Sequence, residues 1–150
     1  MINLSAPDFT QHPPRSPRVK LGGFVHLPRL LDKARAAASG KLGEFVFPCP
    51  LDQRFFVFTS LSADALLAEV KQGRSDTEML AWVMAHANPS RQPWEIAAWS
   101  DYLSGLSAGD AKRHQMFAQT IQSLGPGRDD IVTYFDRLDL DDYVSYSGKA

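Results

Sequence analysis

A chain of 150 residues, 44% hydrophobic and 22% charged with a net charge of −1, has the size of one domain closing a single core and is too balanced in composition to be a disordered segment. No apolar run approaches the roughly 20 residues of a membrane-spanning helix, and the near-zero net charge speaks against general nucleic-acid binding. Met1 to Thr10 has neither the basic stretch nor the apolar run of a secretory signal, and one cysteine allows no internal disulfide, so a cytoplasmic, reducing setting is expected.

Residues 1–20 carry Pro7, Pro13, Pro14 and Pro17 with few large apolar groups. Proline at that density prevents helix, which predicts an extended, partly exposed arm. Residues 21–150 are expected to form one α-helical domain, entered through a hinge at Gly22-Gly23. From Leu27 onward the apolar period is helical. Leu27, Leu31, Ala34 and Ala38 make one stripe, and Gly40 ends it. Cys49 stands at the N-cap of a helix opened by Pro50, with Leu51, Phe55 and Phe58 aligned along it. Ser62 starts a helix that buries Leu66, Leu67 and Val70. Ser75-Asp76-Thr77-Glu78 is a capping box, followed by Leu80, Val83 and Ala87.

Pro93 opens a helix with Ile96, Trp99 and Leu103 on one face. The segment Ser107 to Asp110 begins another, in which Phe117, Ile121 and Leu124 line up. Asp129 or Asp130 is expected to cap a last helix carrying Ile131, Phe135 and Leu138. Phe45-Val46-Phe47 and Tyr143-Val144-Ser145-Tyr146 are the candidate strands. The expectation is an all-α domain of six or seven short helices, its core built by Trp82, Trp94 and Trp99 with Phe55, Phe56 and Phe58. The paired helices after Ser62 and Ser75 have the spacing of a helix-turn-helix. The second begins with Asp76, Thr77 and Glu78, which would repel phosphate, so it reads as core and not as a DNA reader.

Charge is divided unevenly. Residues 1–41 hold seven basic groups against two acidic ones, and residues 129–142 hold six aspartates against Arg137. Attraction between these opposed ends within the fold is the first expectation, and an anionic ligand for the basic region the second.

Two proline-led segments concentrate the chemistry. At a helix N-terminus the Cys49 thiol would be favoured as thiolate, aided by Arg54 and opposed by Asp52. His26 is the histidine best placed to serve it as a base. Arg29, Asp32 and Lys33 share a helical face opposite the leucine stripe. With Asp52, Gln53 and Arg54 they could build a clamp for a small anion. No metal site is expected: an EF-hand loop from Asp139 fails at Val144 and Ala150, and zinc-type spacings are missing. Gly125-Pro126-Gly127 lacks the lysine of a phosphate loop, so no cofactor is expected either.

The runs Leu21-Gly22-Gly23-Phe24-Val25-His26-Leu27-Pro28-Arg29, Asp32-Lys33-Ala34-Arg35-Ala36, Leu42-Gly43-Glu44-Phe45, Cys49-Pro50-Leu51-Asp52-Gln53-Arg54-Phe55 and Leu138-Asp139-Leu140-Asp141-Asp142 resemble a bacterial family, domain of unknown function 5069. The resemblance extends over nearly the whole chain. It implies a self-contained small protein whose signature falls on the segments singled out above, and it brings no catalytic role with it. Two functional expectations follow. The first is a non-catalytic binding protein for a small anionic ligand or a protein partner, with no role for nucleic acid or membrane. The second is a small enzyme using Cys49 as nucleophile or thiol base, with His26 or Asp32 managing protons and Arg54 stabilising an anion.

Overall fold

A computed structural model describes residues 3–148. Among them run seven helices: α1 (Leu27–Ala38), α2 (Pro50–Thr59), α3 (Ala63–Val70), α4 (Asp76–His86), α5 (Pro93–Ser104), α6 (Ala111–Leu124) and α7 (Tyr134–Ser145). A two-stranded hairpin, β1 (Lys20–Leu21) and β2 (Phe24–Val25), precedes them, so the fold is mostly α. No helix among the described residues is long and apolar enough to cross a membrane.

The Gly22-Gly23 pair is the turn of this antiparallel hairpin, in which Leu21 pairs with Phe24 and Lys20 with Val25. Both glycines have positive φ, 57° and 83°, as a two-residue turn matched to strand twist requires. At Gly22 a Cβ would come within 2.6 Å of the Leu80 side chain. The turn is thus a packing point and not the expected hinge.

Helix α1 is the axis of the molecule. Every residue from Leu27 to Ala36 is buried, so the polar face expected opposite its leucines does not reach solvent. Leu27, Leu30, Leu31 and Ala34 pack with Phe24, Phe55, Phe56, Leu66, Met79 and Val83 in the main core. Its other side is buried under the N-terminal arm, α2 and α7. Trp82 and Trp99 join this core, whereas Trp94 is exposed. A smaller cluster of Phe117, Ile121 and Leu140 fastens α6 to α7.

The arm is irregular, as its prolines dictate, yet it is pinned closely to the body. Phe9 is buried and its N–H donates to Lys41 O at 3.1 Å. Arg15 grips Asp32 through Nε at 2.9 Å and Nη2 at 2.8 Å, and reaches Asp76 at 2.7 Å. Arg18 binds Asp136 and Asp139 on α7, and Arg29 binds Asp142 at 2.6 Å. The two ends of the chain are thus joined through Arg18 and Arg29, while Arg15, Lys33, Arg35 and Lys41 pair with carboxylates elsewhere.

Most helix starts fall where the capping residues put them. Ser62 accepts from the Ala65 N–H, and Ser75 and Glu78 cap each other. The last helix begins later than expected. Thr133 and Asp136 form its capping box, while Asp130 is held by Arg128. Neither candidate strand forms: Phe45 to Phe47 is irregular, and Tyr143 to Ser145 continues α7, where Asp142 is anchored by Arg29.

Candidate functional site

The site is assembled where the starts of α1 and α2 meet. His26 is the N-cap residue of α1 but its side chain caps nothing. Its φ of 68° lies in the left-handed region, a conformation that costs a non-glycine residue on the order of 1 kcal/mol or more. His26 is 1% exposed, and its ring lies nearly parallel to that of buried Phe135, 6.2 Å away on α7.

Across from it, Pro50 starts α2 and leaves Cys49 as the N-cap. Cys49 and Asp52 form a capping box, with the Cys49 N–H donating to Asp52 Oδ2 at 2.8 Å. Asp52 is fully buried and takes two further donors. His26 Nε2 lies 2.7 Å from Oδ1, and Lys33 Nζ lies 2.6 Å from Oδ2. An ionised carboxylate can only accept, so the His26 proton sits on Nε2. Nδ1 is left buried with no hydrogen-bond partner among the described residues. A donor atom from each of His26, Cys49 and Asp52 lies within 4.8 Å of the others.

The electrostatics follow from this packing. Burial works to raise the Asp52 carboxyl, but the His26 hydrogen bond and the Lys33 charge overcome it and hold the group at about 2. Burial also works to raise the Cys49 thiol, as does the Asp52 charge. The adjacent His26 ring, the Lys33 charge and the Asp52 backbone N–H outweigh them, so the thiol titrates below its ordinary value. A half-buried thiol with a depressed pKa beside a histidine is the arrangement of a reactive sulfur.

Cys49, His26 and Asp52 are also close enough to share a metal ion. The bonding pattern is against it. Both Asp52 oxygens are occupied by donors, and a cation would have to displace the Lys33 ammonium. The donor set suits a hydrogen-bonded relay better than a metal centre.

Cys49 opens onto a cavity of about 360 Å³ lined by Pro50, Leu51, Arg54, Tyr134 and Arg137. Pro50 and Arg54 also border an adjoining hollow of about 500 Å³ with Val57, Phe58, Trp99 and Tyr102. A further hollow of about 430 Å³ beside α6, near Phe117 and Ile121, includes none of the Cys49 cluster.

The expected site residues separate into two groups. Cys49, His26, Asp52 and Lys33 come together, and Arg54 stands at the mouth of the cavity. Arg29 and Asp32 do not join them: Arg29 is committed to Asp142, and Asp32 to Arg15. Gln53 is exposed and borders only the outer hollow. Tyr134, Phe135 and Arg137 were invisible from the α1 and α2 segments, since α7 arrives from far along the chain. The one signal was Arg137 standing as the sole cation among the six aspartates of residues 129–142.

Among known proteins, the family model described as a domain of unknown function (DUF5069) matches residues 11–144. No curated protein matches the chain.

Proposed function

Because the chain belongs to the DUF5069 family, whose name assigns no reaction, we propose one from the chain's own geometry: a small thiol-dependent enzyme in which Cys49 is the attacking group. The observation that carries this reading is the convergence of Cys49, His26, Asp52 and Lys33 on one half-buried sulfur. His26 takes the thiol proton, Asp52 holds the imidazole in one tautomer and orientation, and Lys33 keeps Asp52 ionised. The sulfur lone pair forms a bond to an electrophilic carbon of the substrate. The leaving group departs with its bonding electrons and collects the proton from His26. A cytoplasmic setting, where a lone thiol stays reduced, suits this chemistry.

The test is the rate of Cys49 alkylation by iodoacetamide as a function of pH, in the wild type and in His26→Gln. The wild-type profile should rise well below the roughly pH 8.5 of an unperturbed cysteine, and the substitution should shift it upward. A wild-type thiol that reacts only above about pH 8 would remove the reading. It would leave the other one, a protein that holds a small anion or a protein partner without reacting with it.

A further inference from the structure

We propose that Arg54 and Arg137 are the anion-binding end of a two-lobed groove, which takes a small organic anion: a carboxylate or phosphate group on an apolar frame. The inference deepens the thiol reading and rests on it for the reaction, while the binding itself needs no thiol.

The chain has ten arginines. Among the described residues, eight of them have a carboxylate within ion-pair distance. The two without one are Arg54 and Arg137, and both line the cavity onto which Cys49 opens. Arg54 donates from Nη1 to the Tyr102 hydroxyl at 2.8 Å, a neutral acceptor. The Arg137 guanidinium lies over the Tyr134 ring, 5.3 Å from its centre.

With the other eight arginines paired to carboxylates, two arginines that line one cavity without such a partner leave positive charge there for an anion. Their planar forks match the two oxygens of a carboxylate or phosphate. No Asp or Glu lines either lobe, so nothing in the walls would repel such a group. The second lobe has a different character. Val57, Phe58, Trp99 and Tyr102 give it apolar walls, and the Arg91 at its edge is already spent on Glu95 and the Phe58 carbonyl. Charge at one end and aromatic surface at the other define a ligand with an anionic head and an apolar body.

The experiment uses Cys49→Ser protein, so that binding is read apart from reaction. Titration calorimetry compares 3-phenylpropionate with 3-phenylpropanol, which differ in the charged head. The anion should bind about tenfold more tightly or better, and Arg54→Gln and Arg137→Gln should each erase most of that preference. Arg54→Lys, which keeps the charge and loses the fork, should fall between. Equal binding of the two probes, binding of neither, or a preference that survives both substitutions would overturn the inference. A preference in Cys49→Ser beside an inert wild-type thiol would leave the inference standing and remove the reaction. A reactive thiol in a protein with no preference would do the reverse.

Discussion

Replacing Asp52 with asparagine is the sharpest perturbation of this fold. The two carboxylate oxygens receive three donors, His26 Nε2 at 2.7 Å, Lys33 Nζ at 2.6 Å and the Cys49 N–H at 2.8 Å. The amide keeps one acceptor oxygen and puts an NH₂ donor where the other stood, facing donors. The charge that balances Lys33 is lost, although the Lys33 side chain is only 4% exposed. Breaking a buried pair by removing one partner costs about 3–5 kcal/mol, a large share of the roughly 5–15 kcal/mol that holds a domain together. In urea, with a slope of about 2 kcal/mol per molar, the unfolding midpoint should fall by roughly 1.5–2.5 M at an unchanged slope. Joining Asp52→Asn with Lys33→Met removes the stranded ammonium and should recover most of the loss, because an apolar group of similar volume replaces a buried ion at little cost. A loss under about 1 kcal/mol for the single variant, or a double variant no more stable than the single, would show that the pair is not an energetically buried network.

Acid should weaken the protein through the same carboxylate. Asp52 titrates at about 2 when folded and near 3.9 when unfolded, so its contribution is complete above about pH 4 and is lost as pH falls towards 2. That change amounts to roughly 2–3 kcal/mol. Asp76 and Asp136, also lowered, act in the same direction. Asp142 acts in the opposite one: burial raises it despite Arg29, so its proton is held more tightly in the folded state. Urea unfolding of wild type and Asp52→Asn at pH 6, 4 and 3 checks this, and the gap between the two should narrow as pH falls. Gly22→Ala should destabilise by about 1–3 kcal/mol in thermal or urea unfolding, because the added Cβ meets both a φ of 57° and the Leu80 side chain at 2.6 Å.

The helices were legible because their signals are local. Pro50 behind Cys49, the Ser75 and Glu78 box and the apolar spacings each act within one or two turns, where neighbours in sequence are neighbours in space. The last helix start was missed through the same logic applied to the wrong residue. Thr133 and Asp136 offered a box as good as any aspartate cap, and Asp130 was drawn away by Arg128. The face of α1 was misread for a deeper reason. Arg29, Asp32 and Lys33 read as one polar face open to a ligand, but each is buried against a partner from another part of the chain. Periodicity reports polarity, and a buried ion pair has the same polarity as a wet one.

The amino-acid order by itself determined the helical class, the capping of most helices and the irregular arm, and it marked Cys49 and His26 as the candidates for chemistry. Tertiary structure alone decided which charges are free. Arg29 faces Asp142 across 113 residues and Arg15 faces Asp32 across 17, while Arg54 and Arg137 both line one cavity that has no carboxylate in its walls. Whether a guanidinium is spent or available depends on what lies within a few ångströms of it. That distance is set by how α7 and the arm close over α1, and no spacing along the chain encodes it.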